Sequence, residues 1–368
     1  MTDQIIGTRI KALRQERGLS QESLAQLFGF KDRQTVSAIE TGVRSVTAAE
    51  LLLAVEKLNA PIDYFTDPFR LDGEGRFSWR QSGVSGSQLA EYERRASRWV
   101  GAYRSLAAQL GRRAPLMRRA LGLTKLSRFE DAMEAGERFA AELELGDVPA
   151  KRLAAVMQDE LGILVLMVDA CRGISGAACR LPELDAVLTA RGEVEGHRNI
   201  DLAHELFHIL TWDAMPPKHV EDVRDFGGNR VEQLANNFAA AVLMPRAALE
   251  PLGDCGPLEM DELIDRLNAT ANELGVTSSA LRWRLVALGR LTRARAQAIP
   301  ESALRNNGRR DEMAPPPALY SRTFMEVIAA AIDRGHISVR RAAGLVGLPI
   351  EDLQELFTAH GIDFTINL

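Results

Sequence analysis

Residues 199–210 read NIDLAHELFHIL, a stretch whose apolar residues recur at helical spacing. Its centre carries the pattern His-Glu-x-x-His, which places His204 and His208 one turn apart on the same helical face. Two imidazoles in this arrangement can ligate one metal ion, and Glu205 can reach a metal-bound water as a general base. Because solvent-exposed charged helices also contain this pattern, a metal site requires a third ligand elsewhere in the chain.

The candidate for that third ligand is Glu232, on an amphipathic segment that a proline ends. The extended zinc motif would instead place a histidine at position 214, where this chain has Ala214. Asn236 lies one turn after Glu232 on the same face, so it can support the zinc helix through a hydrogen bond. Four residues of the intervening loop stay open as alternative ligands: His219, Glu221, Asp222 and Asp225.

A second informative region is residues 1–66, whose start and stop signals predict a compact all-α bundle of four helices. Gly18 is expected to end the first helix, and Ser20 and Asp32 are expected to cap the second and third helices. Gly42 is expected to close the third helix. The fourth helix is expected to complete the core with four apolar residues: Leu51, Leu52, Val55 and Leu58.

The third helix of this bundle, residues 33–40, is expected to turn Val36 and Ile39 inward and its polar side chains outward. The outward residues are Arg33, Gln34, Thr35 and Ser37. These side-chain types hydrogen-bond base edges and phosphates in a major groove. A helical bundle that merely has a polar third helix stays open as an alternative, because this region contains eight basic and eight acidic residues.

Three motifs of this region, IKALR (10–14), GLSQE (18–22) and VSAIETG (36–42), resemble the Xre/Cro-type helix-turn-helix family. The resemblance covers nearly all of residues 1–66. It implies a domain that binds a double-stranded DNA operator, usually as a homodimer on paired half-sites, with Gln21 near the DNA backbone. The predicted DNA-binding residues are Gln21, Arg33, Gln34, Thr35, Ser37 and Arg44.

The metal-site motifs resemble a second family. His-Glu-x-x-His, followed by EQLANNFA (232–239) and LMP (243–245), is similar to the ImmA/IrrE zinc metallopeptidases over residues 129–292. The resemblance implies an α+β, zincin-like fold in which His204, His208 and Glu232 hold Zn²⁺. It also implies that Glu205 deprotonates water and passes the proton to the leaving nitrogen of a peptide bond.

Two details of this second resemblance stay open. Phe207 stands where that family commonly has glycine, which puts substrate access in question but not metal ligation. Peptide cleavage also needs a donor for the tetrahedral oxyanion. The candidate donors are His197, Arg198 and His219.

Composition and length set limits on the whole chain. Of its 368 residues, 46% are hydrophobic and 26% are charged, which excludes a wholly disordered chain. The net charge of −5 gives no bulk argument for nucleic-acid binding. Five segments are predicted, giving a multi-domain protein: a helix-turn-helix domain (1–66), a linker and basic helical connector (67–128), the metallopeptidase domain (129–292), a second linker (293–319) and a small helical C-terminal domain (320–368).

The basic residues of the connector are concentrated in residues 94–128, which contain ten basic residues and no acidic one. We favour a solvated helical face, or pairing with the acidic stretch 130–147, over contacts with DNA phosphates. The three cysteines, the absence of a leader pattern and the absence of an apolar run of ~18 residues predict a cytoplasmic protein without membrane contact.

The two resemblances together imply two possible functions. The first is a DNA-binding transcriptional regulator whose zinc endopeptidase cleaves a repressor or another regulatory protein in response to a signal such as stress. The alternative is a repressor or antitoxin-like protein whose peptidase-like domain senses a ligand or a partner, such as a toxin, without proteolysis. The presence of Glu205 favours the first function, because metal ligation alone does not require this residue.

Overall fold

The computed structural model of the protein describes residues 2–112, 116–222, 229–305 and 315–364. They form two compact units. The first comprises Met1–Arg76, Gly86–Arg112 and Val327–Leu353, and the second comprises Phe77–Ser85, Arg113–Glu326 and Gln354–Leu368. The five segments predicted from the sequence are contiguous, whereas each compact unit collects separate stretches of the chain.

The first unit begins with five helices: α1 (Thr2–Glu16), α2 (Gln21–Phe28), α3 (Arg33–Glu40), α4 (Ala48–Lys57) and α5 (Ile62–Thr66). The predicted caps of α2 and α3 are confirmed. The Ser20 hydroxyl accepts a hydrogen bond from the Ser23 backbone N–H, and the Asp32 carboxylate accepts one from the Thr35 N–H. Gly18 follows α1 at a φ of +65°, in the left-handed region that glycine adopts without strain.

The core of this bundle contains the predicted inward residues Val36 and Ile39, both buried on α3. The prediction that Leu52 belongs to the core was wrong, because its side chain is 61% exposed. Ala54 and Leu58, one turn apart, form the buried stripe of α4, and Leu52 lies two residues before Ala54, on the other side of the helix.

A long helix, α6 (Gly86–Gln109), occupies much of the region predicted as linker and connector. One side of it is buried, including Leu89, Trp99 and Leu106. The Trp99 indole N–H donates a hydrogen bond of 3.0 Å to the Leu345 carbonyl of α15 (Val339–Val346). This helix is therefore part of the core of the first unit.

The basic run that begins in α6 makes mainly structural contacts. Arg104 is buried and forms an ion pair with Glu74 within the first unit. Arg119 and Arg128 form ion pairs of 3.4 and 2.8 Å with carboxylates of the acidic stretch 130–147. These contacts agree with the expected pairing of the run.

The second unit contains a mixed sheet with the strand order β2-β4-β3-β1-β5. Its strands are β1 (Arg76–Gln81), β2 (Ile163–Val168), β3 (Ile174–Arg180), β4 (Asp185–Ala190) and β5 (Val220–Asp222). Strand β4 runs parallel to β2 and antiparallel to β3, while β1 and β5 run parallel with Trp79 beside Val220. The sheet and the surrounding helices confirm the α+β class.

Strand β1 lies in a stretch that we expected to be irregular. Phe77 and Trp79 are buried with stacked rings 5.3 Å apart, and they alternate with Ser78 and Arg80. This alternation is the period of a strand, but it covers too few residues to be decisive without its partners.

The helices of the second unit surround this sheet: α7 (Phe129–Glu142), α8 (Ala150–Asp159), α9 (Glu195–Thr211), α10 (Arg230–Leu243), α11 (Met260–Leu274), α12 (Ser278–Ala287) and α13 (Arg293–Ala298). Short 3₁₀ turns follow at Ala247–Leu252 and Glu301–Ala303. Two further helices, α14 (Arg322–Asp333) and α16 (Ile350–Ala359), flank α15 in the sequence. Among the described helices, none is both long and apolar enough to cross a membrane.

Helix α10 lies between α9 and α7 in the core of the second unit. The Phe238 ring contacts Phe207 of α9 and Phe139 of α7, with ring centroids 5.6 and 5.8 Å apart. At Gly136 of α7 a Cβ atom would lie only 2.6 Å from the Phe238 carbonyl oxygen, so glycine permits the close approach of α7 and α10. This packing fixes α10 against α9, where the metal-site residues lie.

Candidate metal centre and nucleic-acid interface

Helices α9 and α10 bring together the three residues that the sequence analysis selected as metal ligands. Nε2 of His204 lies 3.0 Å from one carboxylate oxygen of Glu232, and Nε2 of His208 lies 3.2 Å from the other. The two Nε2 atoms are 3.1 Å apart. Both histidines are almost fully buried, and the Glu232 side chain is 21% exposed. One ligand atom from each residue therefore converges on one point, within 4.8 Å of the others.

Asn236 fixes the orientation of the first histidine. Its amide oxygen lies 2.9 Å from Nδ1 of His204. An amide oxygen can only accept, so His204 donates from Nδ1 and leaves the Nε2 lone pair directed at the convergence point. A hydrogen bond of this kind on the far ring nitrogen typically orients a metal-binding histidine.

The hydrogen bonds of this cluster are incomplete in a way that fits a cation. Oε1 of Glu232, at the convergence point, is buried without a hydrogen-bond partner of good geometry among the described residues. The converging atoms are two imidazole nitrogens and a carboxylate, which together carry more lone pairs than protons. A buried set of this kind is costly unless a cation neutralises it, and two nitrogens with one oxygen form a ligand set typical of catalytic zinc.

Burial and mutual contact shift the pKa values of the three residues in the metal-free protein. Burial, with the nearby charge of Arg80, lowers the pKa of His204 to about 4. Burial opposes the charged form of His208, but Glu232 and Glu205 outweigh it and raise the His208 pKa. Burial likewise opposes ionisation of Glu232, yet its contacts with both histidines hold its pKa well below the usual range. Glu232 is therefore an anionic ligand at neutral pH.

Glu205 lies beside this cluster, on the side of strand β3. It is 1% exposed, and a Cβ atom at Gly176 would lie 3.5 Å from its Cγ atom. Burial raises the pKa of Glu205 to about 7, although the neighbouring positive groups oppose this rise. A carboxyl group with a pKa near neutrality can take up and release a proton at physiological pH.

The predicted DNA-binding residues fall into two groups. Arg33 and Gln34 are exposed on α3, and neither side chain forms a hydrogen bond or an ion pair with any residue of the described part of the chain. Thr35 and Ser37 are half-buried on the same helix, and the Thr35 hydroxyl lies 3.3 Å from the Asp32 carboxylate. The outward-facing side of α3 thus offers Arg33 and Gln34 as its longest available polar side chains.

Gln21 and Arg44 already have partners within the bundle. The Gln21 amide donates a hydrogen bond of 2.8 Å to Glu40, which also pairs with Arg14. The Arg44 guanidinium donates two hydrogen bonds to Glu50. These two residues therefore stabilise the bundle in the absence of DNA.

Comparison with known families agrees with both parts of this geometry. The helix-turn-helix family model matches residues 10–65, and the model of the IrrE N-terminal-like domain matches residues 188–285. This chain joins a helix-turn-helix domain to an IrrE-like domain. It is thus a DNA-binding regulator with a peptidase-like domain. No curated protein matches the chain, and no solved structure matches it either.

The matched part of the IrrE-like domain runs from β4 to α12 and includes all three candidate ligands. Phe207 within it is fully buried against Phe238, so the bulk of this side chain lies in the core. Among the alternative ligands, Glu221 accepts a hydrogen bond of 3.3 Å from Asn229, and His219 is exposed. The Asp222 side chain and Asp225 lie outside the described residues.

A cavity of about 470 Å³ opens beside the candidate metal centre of the IrrE-like domain. Its walls come from β1, α7, α9, α10, α12 and the turn at Glu301–Ala303, and Asn236 lines it as well. Of the candidate oxyanion donors, His197 lines this cavity, whereas Arg198 donates to the backbone carbonyls of Arg191 and Glu193. Asn236, which orients His204, therefore forms part of the wall of this cavity.

Among the charged residues of this cavity that the sequence analysis did not select, Arg80 of β1 is linked to α9 through its ion pair with Asp201. Its side chain is 17% exposed, and its Nε atom lies 3.5 Å from the carboxylate of Asp201, one turn before His204 on α9. The alternation of Phe77, Ser78, Trp79 and Arg80 was the only signal for this strand. Strand β1 lies outside the residues that match the family model. Only its pairing with other strands of the sheet places it beside the site.

Proposed function

We propose that this protein is a DNA-binding transcriptional regulator that cleaves a regulatory protein with a zinc-dependent endopeptidase site. The observation that carries the proposal is the convergence of His204, His208 and Glu232, with buried Glu205 beside them. A purely sensory domain needs no buried carboxyl group beside the candidate ligands. A chain with a helix-turn-helix domain would bring this site to a DNA locus.

His204, His208 and Glu232 would hold the zinc ion, with Asn236 keeping the first histidine in its binding tautomer. Bound zinc supplies Lewis acidity, which polarises a peptide carbonyl and acidifies water. Glu205, whose carboxylate is buried beside these ligands, would take the proton from the attacking water as the general base. It then returns that proton to the leaving nitrogen, and the peptide bond breaks.

The protein substrate in this proposal is a repressor, and cleavage follows a cellular signal such as stress. The regulator would act in the cytoplasm, and its helix-turn-helix domain would bind a palindromic operator as a homodimer, since paired half-sites match a two-fold axis. The second candidate keeps the same DNA binding but uses the IrrE-like domain as a sensor of a ligand or of a partner such as a toxin. The cavity beside the metal centre is the observation that favours this alternative.

Replacement of Glu205 by glutamine separates the two candidates. Glu205→Gln keeps the shape of the side chain and leaves all three ligands in place, so the variant should bind zinc as the wild type does. Loss of the general base should slow cleavage by about 10²- to 10⁴-fold. The assay incubates each zinc-loaded chain with repressors encoded near its gene and identifies new termini by mass spectrometry.

The matched control is His204→Ala, which should lose both zinc and cleavage. Regulation in cells is measured in parallel with a reporter placed under the operator. If Glu205→Gln binds zinc and regulates the reporter as the wild type does, proteolysis is not the function and the sensor candidate is correct.

A further inference from the structure

We propose that the cavity beside the metal centre receives an acidic side chain of the protein substrate, and that Arg80 binds its carboxylate. This proposal rests on the proposed peptidase function, since it assigns the residue recognised next to the scissile bond. The cavity and Arg80 both belong to the second compact unit, within which the site is complete.

The first argument is the state of the Arg80 guanidinium. Its Nε and Nη1 atoms are buried without a hydrogen-bond partner in the described structure. Its one ion pair, with Asp201, has an N–O distance of 3.5 Å, which is longer than an ordinary charge-assisted hydrogen bond. Arg80 is therefore not saturated by the fold, and its Nη2 atom, which is neither buried nor hydrogen-bonded to a described residue, is the donor open to a carboxylate in the cavity.

Other buried arginines of this chain behave differently. Arg9 donates to Glu74 and to the carbonyl oxygens of Tyr64 and Arg70. Arg284 donates from Nε to the Met244 carbonyl oxygen and forms an ion pair with Glu137. Both guanidinium groups bind other residues of the fold, although Nη1 of Arg284 is also buried without a partner among the described residues. Arg80, by contrast, makes no hydrogen bond with its guanidinium to a described residue. The difference indicates a ligand-binding role rather than a structural one.

The second argument is the charge of the cavity. Its charged lining residues are Arg80, Arg284, Arg305 and Glu301. Arg284 is neutralised by Glu137, and Glu301 lies against Arg282. Arg305 forms no ion pair within the described ranges. The balance that faces the cavity is therefore positive, which favours an anionic ligand.

The third argument is the shape and position of the cavity. Apolar side chains of Met133, Ile200 and Trp283 form part of its wall and suit the aliphatic stem of a glutamate. A volume of about 470 Å³ is in the range of small-ligand sites. Asn236 lines the cavity and also binds His204, so a side chain held there belongs to a residue next to the bond that is cleaved.

Binding of two peptides to the metal-free full-length protein tests the proposal. The probes are acetyl-Ala-Glu-Leu-amide and acetyl-Ala-Gln-Leu-amide, which differ only in the charge of one side chain. Trp283 reports binding, because it is 40% exposed whereas Trp79, Trp99 and Trp212 are at most 4% exposed. Protection of Trp283 from acrylamide, a neutral quencher, therefore measures occupancy of the cavity without zinc.

The glutamate peptide should bind about tenfold more tightly than the glutamine peptide, as expected for a hydrogen bond between charged groups. Arg80→Gln should abolish this difference and Arg80→Lys should retain part of it. Arg138→Gln, on an exposed part of α7 outside the cavity, should leave it unchanged. Equal affinities in the wild type, or a preference that survives Arg80→Gln, would overturn the proposal.

Arg80→Gln leaves the buried Asp201 without its ion-pair partner, so a second variant that leaves no buried charge unpaired is needed. Trp283→Ala provides the second test, since its partly exposed side chain can be removed without leaving a buried charge. Calorimetry should show weaker binding of the glutamate peptide to Trp283→Ala than to the wild type. Unchanged affinity would contradict the assignment of the cavity as the binding pocket.

Cleavage of a random peptide library by the zinc-loaded chain separates failure of this inference from failure of the proposed function. Cleavage next to acidic residues supports both. Cleavage without an acidic preference overturns the pocket assignment and leaves the peptidase function intact. A binding preference for the glutamate peptide with no cleavage supports the anion pocket and contradicts the peptidase function.

Discussion

Helices α3 and α9 each carry a functional motif, but they present it in opposite ways. Arg33 and Gln34 extend from α3 into solvent, whereas His204, Glu205 and His208 are almost fully buried on α9. Exposed polar side chains contribute little to the stability of the fold. The exposed residues of α3 can therefore vary with the DNA sequence to be bound without disturbing the bundle core. Buried polar side chains require partners, so the α9 motif depends on its contacts with α10.

Loss of a predicted metal ligand should have the largest effect. The effect should be on metal binding at α9, and DNA binding by α3 should be unchanged. His204→Ala and Glu232→Ala each remove one of three ligands, so zinc content should fall from about one ion per chain to almost none. Elemental mass spectrometry of the purified protein measures this content. DNA binding should persist, because the helix-turn-helix bundle has its own core. A stoichiometric zinc content in both variants would show that other residues hold the metal.

Removal of the support behind a ligand should have a smaller effect. Asn236→Ala leaves the ligand set intact but removes the acceptor that orients His204. Zinc affinity should fall by about 10- to 100-fold, as for other residues that orient metal ligands. Competition with a chelator of known affinity measures the change. Asn237→Ala, one residue further on α10, is the control and should bind zinc as the wild type does.

The parts of the molecule that the sequence predicted well depend on local spacing. The caps at Ser20 and Asp32 are set within three residues, and the helical period places His204 beside His208. The proximity of Glu232 to this pair depends on the tertiary packing of α10, but its spacing from Asn236 indicated the right face. The roles of these residues in metal binding and DNA binding stay predictions.

The parts that the sequence did not predict depend on distant partners. Strand β1 has six residues and ends at Gln81, whereas its neighbours β3 and β5 begin only at Ile174 and Val220. No local pattern could show that this strand brings Arg80 to the metal centre. Helix α6 lies in the region predicted as a linker and basic helical connector, but the burial of one side of it was not predicted, because the partner of Trp99, Leu345, is far along the chain.

Substitutions on α3 should affect DNA and leave the metal centre unchanged. Arg33→Ala and Gln34→Ala each remove a side chain that contacts only solvent in the free bundle. Each should weaken binding by about tenfold to a duplex that the wild-type chain selects from a random pool. Fluorescence anisotropy over a range of salt concentrations measures the affinity. If both variants bind this duplex as the wild type does, the assignment of α3 as the recognition helix is wrong.

Substitution of Arg44 should have the smallest effect on the protein. It tests whether Arg44 is a surface residue available to DNA, like those of α3, or a residue that stabilises the bundle. Arg44 was predicted to contact DNA, yet it pairs with Glu50, whose carboxylate also accepts a hydrogen bond from the Thr47 N–H at the start of α4. Burial opposes ionisation of Glu50, but the hydrogen bonds from Arg44 and Thr47 outweigh it and lower the pKa of Glu50.

Because the pKa of Glu50 is lower in the folded state, the stabilisation is present above the unfolded pKa and disappears as the pH falls through the folded value. Arg44→Ala should therefore lower the free energy of unfolding at pH 7 by at most about 1 kcal/mol, since the Arg44 side chain is 40% exposed and solvent screens the pair. Urea unfolding at pH 7 and at pH 3 measures this difference, which should shrink at the lower pH. A variant of unchanged stability that loses DNA affinity would instead place Arg44 with Arg33 and Gln34, as a surface residue available to DNA.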